Sequence, residues 1–244
     1  MQLRENGLVF SDGHSGCPDS VVLYRHTKLV HAERLVRDGF LRMTDVGTYR
    51  DTLAFGSEIG DSAEGTKTRD TMIRSAMVDE QGKVYGDSRI RELVPIGPTP
   101  HGASFCNVLF QNEHVMARPT MCWCLTDDAD LATARKMNPD YDATLELTVS
   151  VYTLRQIRQA LQAAGLRVRG VGLGKVAYVS RRHTGDRSPY WHYPPTLIKD
   201  QRYSYQREWR VFAECELWHP LPPSVDIAVA FDIGAIRLSR HIKA

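Results

Sequence analysis

The chain has 244 residues, which suits one large domain or one domain with a substantial insertion. Its 31 Lys and Arg nearly balance its 29 Asp and Glu, so the net charge of +2 points to no particular class of partner. Hydrophobic residues make up 42% of the chain, which is enough for a sizeable core. No stretch approaches the ~18 apolar residues of a transmembrane helix, and no internal repeat is evident. We therefore expect neither a membrane protein nor a repeat protein.

The five cysteines lack the spacing of a disulfide framework. An odd number without such spacing is typical of reduced thiols inside a cell. The first residues carry no apolar stretch of the kind that directs secretion. We therefore expect a cytoplasmic protein with no membrane partner.

Two parts of the chain show little periodicity. Residues 1–19 are polar and rich in glycine, which predicts a flexible N-terminal arm. Residues 44–104 carry many turn residues, as active-site lids and inserted subregions do, with one short helix expected at 71–78. We therefore expect a single domain over residues 20–244, with a loop-rich insertion at about 44–104.

The other segments predict more strands than helices. A first helix has apolar residues at helical spacing, with Thr27 as N-cap and Gly39 after its last turn. A second amphipathic helix runs from Leu154 to Leu161, and a short one capped by Asp127 or Asp128 runs through Ala134. Strands are expected over 21–24, 40–43, 104–110, 120–125, 144–151, 175–180, 205–215, 227–231 and 236–238. Because few strand–helix–strand alternations occur, we predict an α+β fold with a mixed or antiparallel sheet flanked by helices.

The segment around Glu208 is the strongest candidate for catalysis. On a strand over 205–215, Gln206, Glu208 and Arg210 would share one polar face. A Gln and a Glu two residues apart on one face can engage a sugar and an incoming nucleophile together. The alternative is an edge-strand polar face in which Glu208 pairs with Arg210 or with an Arg on the next strand.

A second candidate stands where the first strand meets the first helix. Tyr24, Arg25, His26 and Thr27 occupy this turn. A guanidinium or imidazole there can hold a pyrophosphate, and backbone N–H groups at the start of the helix can assist. The alternative is a helix-capping turn that carries two solvated charges.

A third candidate is the strand over 120–126. Cys122, Cys124 and Thr126 fall on one of its faces. The Cys-x-Cys spacing does not suit zinc, and no second pair of ligands is present, so we predict no metal site. Small side chains facing a cleft would leave room for a flat ring, although packing of both cysteines in the core explains them equally well.

Three segments of the chain together resemble a known family. They are Val-Leu-Tyr-Arg-His-Thr at 22–27, Met-Cys-Trp-Cys-Leu-Thr-Asp-Asp at 121–128, and Ile-Lys-Asp-Gln-Arg-Tyr-Ser-Tyr-Gln-Arg-Glu-Trp-Arg-Val-Phe at 198–212. Over about residues 20–240 the chain resembles a broad bacterial domain family associated with phage defence, which is similar to a divergent branch of the ADP-ribosyltransferases. The resemblance implies a split β-sheet fold of the ADP-ribosyltransferase type, with NAD as a substrate and no metal.

The resemblance also implies roles for individual residues. Arg25, or alternatively His26, would hold an NAD phosphate. Thr126 would supply the hydroxyl on the ribose side. Glu208 would be the catalytic carboxylate, and Gln206 would orient the acceptor. Other implied contacts with NAD come from Tyr24, Thr27, Tyr49 and Cys124.

The chain also departs from the family pattern. Cys122 and Cys124 stand where the family has Ser or Thr. The aromatic platform for nicotinamide has two candidates, Tyr49 and Tyr205.

These observations lead to one functional prediction and two alternatives. We predict an NAD-dependent ADP-ribosyltransferase, a glycosyltransferase that acts as a toxin or anti-phage effector, with an antitoxin as a further partner. Its macromolecular acceptor would be RNA, DNA or a protein; the basic stretch 155–187 and the aromatics Tyr190, Trp191 and Tyr193 suit nucleic acid. One alternative is a non-catalytic module for nucleotides or nucleic acids. The other is a metal-dependent nuclease that uses Asp127, Asp128 and Glu208.

Overall fold

The computed structural model describes residues 8–11, 20–50, 66–94, 96, 101–179, 193–216, 221–232 and 234–241. They fall into two compact units. The first contains the described residues of Met1–Thr66, Met116–Val179 and His192–Ala244. The second contains those of Lys67–Val115, and it overlaps the insertion expected at about 44–104.

The elements follow one another in the order strand, strand, helix, then mostly strands. The strands are β1 Leu8–Ser11, β2 Ser20–Thr27, β3 Phe40–Asp45, β4 Thr66–Val78, β5 Val84–Gly86, β6 Ala103–Met116, β7 Thr120–Thr126, β8 Ala143–Ser150, β9 Val168–Lys175, β10 Ala177–Val179, β11 Ile198–Asp200, β12 Glu208–Cys215, β13 Ser224–Ala228 and β14 Ile236–His241. The α-helices are α1 Leu29–Asp38, α2 Ile90–Leu93, α3 Leu131–Met137 and α4 Val151–Ala163. Short 3₁₀-helices span Val46–Arg50, Pro195–Leu197 and Gln201–Gln206.

The first unit is built on one large sheet. Its strands lie in the order β1-β9-β12-β7-β2-β8-β14, and β3 pairs with both β7 and β13. All of these pairs are antiparallel except β1 with β9, and β10 and β11 form a separate parallel pair. The predicted α+β class, with a mixed and mostly antiparallel sheet, is therefore confirmed. In the described ranges no helix is both long and apolar enough to cross a membrane.

Alternation along the strands separates a core face from a polar face. Trp123 of β7, Leu145 of β8 and Val211 of β12 belong to one buried cluster, together with Leu35 of α1 and Ile157 of α4. Burial of each such side chain stabilises the fold by about 1.5–3 kcal/mol. Helices α1 and α4 therefore pack on this face of the sheet.

The sheet is weakly joined at its centre. Strands β2 and β7 are neighbours, yet they pair at a single position, Tyr24 opposite Thr126. By contrast β7 pairs with β12 over seven positions, from Thr120 to Thr126. The backbone groups of β2 and β7 beyond Tyr24 are therefore not held by a continuous ladder between these two strands.

The structure corrects several predicted elements. Residues 71–78 belong to strand β4 and not to a helix. The apolar residues Met72, Ile73, Ala76 and Met77 have the spacing of one face of a helix, but of these only Ile73 and Ala76 are buried. Within the predicted arm, Leu8–Ser11 forms β1 and pairs with β9.

The predicted ends of the helices also need correction. Helix α1 begins after Lys28 without a side-chain cap, and Asp142 Oδ1 instead accepts the N–H of Leu29 at 2.6 Å. Thr27 is therefore not the N-cap. Helix α3 is capped by Asp130, whose side chain accepts from Ala132 N, and not by Asp127 or Asp128. Gly39 ends helix α1 as predicted, in the left-handed conformation with φ 66°.

We expect substitution of Gly39 by Ala to destabilise the first unit by about 2 kcal/mol or more, because a Cβ adds left-handed strain and meets the carbonyl oxygen of Val229. Gly165→Ala is the matched control: Gly165 also has positive φ, but a Cβ there has no heavy atom within 4 Å. Urea unfolding of both variants measures the difference. Equal losses of stability would contradict the steric part of this argument.

Candidate functional site

A cavity of about 300 Å³ opens on the polar face of the sheet in the first unit. Strands β12, β7 and β2 lie side by side beneath it, and these strands come from the three segments that carry the family resemblance. Of the nine residues to which the family resemblance gives a catalytic or NAD-binding role, all except Thr27 line the cavity. The lining consists of Tyr24, Arg25, His26, Thr44, Tyr49, Cys124, Leu125, Thr126, Met137, Asn138, Tyr141, Lys199, Gln206, Glu208 and Arg210.

Glu208 lies in this cavity as a buried carboxylate between two cations. The residue is 5% exposed; its Oε1 accepts from Arg210 Nε at 2.7 Å and its Oε2 accepts from Lys199 Nζ at 3.1 Å. Its backbone N–H donates to the hydroxyl of Tyr178 at 2.7 Å. The pairing with Arg210 that we gave as the alternative interpretation is therefore present, and it occurs inside a cavity.

The two cations fix the ionisation of Glu208. Burial alone would raise the pKa of this carboxyl, but the guanidinium of Arg210 and the ammonium of Lys199 outweigh burial and hold the pKa well below its usual range. Glu208 is therefore an anion at neutral pH. A buried carboxylate in this state can stabilise positive charge that develops beside it.

Sequence reasoning missed Lys199, which organises the site. Its ammonium donates to Gln206 Oε1 at 2.8 Å as well as to Glu208, and it lies 5.0 Å from the centre of the Tyr203 ring. Lys199 is only 4% exposed. A lysine directly after the apolar pair Leu197 and Ile198 was the available signal.

Gln206 and Glu208 meet in a different way from the one predicted. Residues 201–206 form a 3₁₀-helix, so the strand expected over 205–215 begins only at Glu208. Arg207 joins the two elements in the left-handed conformation with φ 46°. The prediction that Gln206 and Glu208 share one face of a strand is therefore wrong. The ammonium of Lys199 binds both side chains and brings them together.

Arg25 and His26 have different environments. Arg25 Nη1 donates to the carbonyl oxygen of Cys124 at 2.6 Å, so its guanidinium lies at the weakly paired junction of β2 and β7. His26 is buried, with Nε2 2.9 Å from the carbonyl oxygen of Asp128 and Nδ1 2.9 Å from Thr144 Oγ1. Because a carbonyl only accepts, Nε2 carries the proton and Nδ1 accepts from Thr144.

His26 is therefore a neutral, anchored ring. Burial lowers its pKa, and this effect outweighs the carbonyl of Asp128, which raises it. Both ring nitrogens already have partners. Of the two residues that we considered as the phosphate anchor, Arg25 is the one that carries positive charge at neutral pH.

The remaining predicted residues form the floor of the cavity. Cys124 Sγ lies 3.8 Å from the hydroxyl of Tyr49. Burial, followed by the nearby charge of Glu208, raises the pKa of Cys124 to about 12, so the thiol stays protonated and is no nucleophile at neutral pH. The Thr126 hydroxyl donates to the carbonyl of Gln206 at 3.0 Å and accepts from Asp128 N at 3.1 Å, which ties strand ends together.

Of the two tyrosines proposed as a nicotinamide platform, only Tyr49 lines the cavity. Thr27 lies on β2 opposite Ala143 and lines a different cavity. Tyr193 packs beside the buried cluster of Cys122 and Phe212, while Tyr190 and Trp191 lie outside the described residues.

The lining has an excess of positive charge. Arg25, Lys199 and Arg210 are cations, and Glu208 is the one carboxylate in the lining given above. Three positive charges and one negative charge leave a net charge of +2 beside three tyrosines. Such a cavity favours a ligand with anionic groups and a flat ring.

Asp127 does not belong to this cavity. Its carboxylate pairs with Lys175 at 2.8 Å and with Arg207, and it accepts from Trp209 Nε1 at 3.3 Å. Among the described residues, no three His, Cys, Asp or Glu side chains are grouped as metal donors. The nuclease alternative therefore gains no support from the arrangement of Asp127 and Glu208.

The ionisation of Glu208 predicts an acid-dependent loss of stability. Its folded-state pKa is depressed below the ordinary 4.5, so its contribution is present above that pH and is lost as the pH falls. We expect the free energy of unfolding to fall more steeply between about pH 5 and pH 3 in the wild type than in Glu208→Gln. Urea titrations at both pH values measure this difference.

Glu214→Gln on the same strand is the matched control for this prediction. Burial raises the pKa of Glu214 despite the charge of Arg169. Ionised Glu214 therefore does not stabilise the folded state, and Glu214→Gln should keep the loss of stability that the wild type shows as the pH falls. Parallel pH profiles for the wild type and Glu208→Gln would contradict the assignment.

Comparisons of the chain with models of protein families, with curated proteins and with solved structures give no match. The resemblance to ADP-ribosyltransferases therefore stays a prediction from three sequence segments. The geometry and charge of the cavity above those segments determine which ligands it can bind.

Proposed function

We propose that this protein is an NAD-dependent ADP-ribosyltransferase with Glu208 as its catalytic carboxylate. The observation that carries the proposal is that ionised Glu208 and cationic Arg25 line one cavity, across the neighbouring strands β12, β7 and β2. A dinucleotide needs both groups: a cation for its phosphates and an anion beside the sugar that loses nicotinamide. The proposal also assigns the sheet to the ADP-ribosyltransferase type.

The chemistry follows from where charge develops. Cleavage of the bond between nicotinamide and ribose leaves oxocarbenium character on the ribose. A carboxylate that accepts a hydrogen bond from the ribose 2′-hydroxyl stabilises this charge as it forms. Glu208 has about four lone-pair positions, of which Arg210, Lys199 and the thiol of Cys124 use three, so one position stays open for a sugar hydroxyl.

The size of the cavity limits which part of NAD it encloses. A volume of about 300 Å³ lies at the low end of ligand pockets, which run from about 300 to 1,000 Å³. We infer that it holds the nicotinamide and its ribose, with Tyr49 against the ring. Arg25 would meet the pyrophosphate at the mouth of the cavity.

Glu208→Gln keeps the shape of the side chain and removes its charge. We expect nicotinamide release from NAD to slow by about 10²–10³-fold, the usual effect of removing one group that stabilises a transition state. Chromatography of the released nicotinamide measures the rate, and calorimetric titration with NAD shows whether binding persists.

Glu214→Gln serves as the matched control, because Glu214 lies on the same strand and does not line the cavity. It should turn over NAD at the wild-type rate. Turnover by Glu208→Gln at the wild-type rate would rule out Glu208 as the catalytic residue.

A second candidate function has a specific observation in its favour. Glu208 is clamped by two buried cations, and Cys124 replaces the expected hydroxyl residue, which also suits a non-catalytic nucleotide-binding module. Such a module would bind NAD and leave it intact during long incubation with cell lysate. Release of nicotinamide or labelling of a lysate component by wild-type protein would exclude it.

The proposed acceptor is a nucleic acid. Arg155 and Arg158 lie on α4, Arg167 directly precedes β9 and Arg169 lies on β9, with Arg155, Arg167 and Arg169 exposed to solvent. Guanidinium groups along one surface can contact successive phosphates. The rest of the basic stretch, from residue 180 onward, lies outside the described residues.

We expect the protein to bind single-stranded RNA or DNA more weakly at high salt than at low salt, because binding to phosphates releases counterions. Replacing both Arg167 and Arg169 by Gln should lower the salt slope by about two. Arg237→Gln on β14, at the other edge of the sheet, is the control. Binding that does not depend on salt would favour a protein acceptor.

A further inference from the structure

A second cavity of about 250 Å³ lies in the first unit on the helix side of the sheet. Its floor is apolar and comes from the core: Leu35 of α1, Leu41 of β3, Trp123 of β7 and Leu145 of β8. All four side chains are buried. An apolar floor of this kind favours a ligand with a hydrophobic body over a hydrated inorganic ion.

The rim of this cavity is cationic. Arg42 donates to Asp226 through Nε at 2.8 Å and through Nη2 at 3.1 Å, which leaves its Nη1 group outside that pair. Arg34 lies 3.6 Å from Asp226 and 4.5 Å from the centre of the Phe40 ring. Arg25 also lines the cavity, so the lining holds three arginines and one carboxylate, Asp226.

The positions of Arg34 and Arg42 are set by the fold and not only by the ion pairs. Arg42 and Asp226 are direct cross-strand partners in the ladder between β3 and β13. Arg34 lies one residue before buried Leu35 on α1, and its guanidinium rests on an aromatic ring. These contacts restrict both guanidinium groups before a ligand arrives, which lowers the entropy cost of binding.

We propose that this cavity binds a small organic anion with a flat apolar body, that is, an aromatic carboxylate. The body of the ligand lies on the Trp123 floor, and its carboxylate bridges Arg34 and Arg42 in the way that Asp226 does from the protein side. A cavity of about 250 Å³ lies below the range of about 300–1,000 Å³ that drug-sized ligands occupy, so it suits a single-ring ligand and not a nucleotide. The inference does not depend on the proposed transferase activity.

Substitution of Asp226 and substitution of the arginines should change the affinity for an anion in opposite directions. Its carboxylate already neutralises part of the charge on Arg34 and Arg42. Loss of an arginine should therefore weaken binding of an anion, whereas neutralising Asp226 should strengthen it. A residue needed only for folding would weaken binding in both cases.

The experiment titrates the full chain with benzoate and with benzamide, its uncharged analogue, and measures affinity by saturation-transfer NMR. We expect benzoate to bind more tightly than benzamide, and Arg34→Met or Arg42→Met to weaken benzoate binding by roughly tenfold, the effect of losing one charge-assisted hydrogen bond. Asp226→Asn should tighten it at least roughly twofold, the scale of a partly exposed ion pair. Arg37→Met is the matched control, since Arg37 lies on the same helix, pairs with Asp38 and does not line the cavity.

Several outcomes would overturn the proposal. Equal binding of benzoate and benzamide would remove the role of charge, and weaker binding by Asp226→Asn would point to folding alone. Loss of benzoate binding in Lys199→Met but not in Arg34→Met would place the probe in the cavity of Glu208. Absence of benzoate binding to the wild type would dismiss the site.

Discussion

The carboxylate of Glu208, held between Arg210 and Lys199, is the interaction on which the polar face of the sheet depends. Three charges lie within the protein, and each of these residues is at most 5% exposed. Removing one partner from such a group costs about 3–5 kcal/mol, because the remaining charge stays desolvated. Arg210 also donates to the carbonyl of Thr196 at 2.6 Å, and Lys199 reaches Gln206, so the triad joins β12 to β11 and to two 3₁₀-helices.

One face of the sheet packs in the core, and the other face carries this triad. Trp209 and Val211 of β12 point into the core beneath the helices, whereas Glu208 and Arg210 of the same strand face the cavity. Packing of the first pair fixes the direction of the second, since alternate side chains of a strand are set by one backbone. The rigid core therefore positions the charged groups without contacting them.

Periodicity predicted the parts of the fold in which local pattern and burial agree. Strand β2 follows from an unbroken apolar run, β8 from alternating apolar residues and helix α4 from apolar residues at helical spacing. Strand β9 was missed because its glycines at 170, 172 and 174 have low strand propensity, although pairing with β12 overrides it. Lys199 was missed because a partner from another element compensates its charge, and local sequence does not encode such a partner.

Arg25 lines the cavity of Glu208 and also the cavity beside α1, because it lies where β2 and β7 are barely paired. The Arg25 guanidinium is therefore a cation that both linings share. An anion that draws it toward the helices lowers the positive potential available to a phosphate on the other side of the sheet. If both proposed ligands bind, thermodynamic reciprocity would make any such antagonism equal in both directions, with Arg25 as the side chain that couples the two cavities.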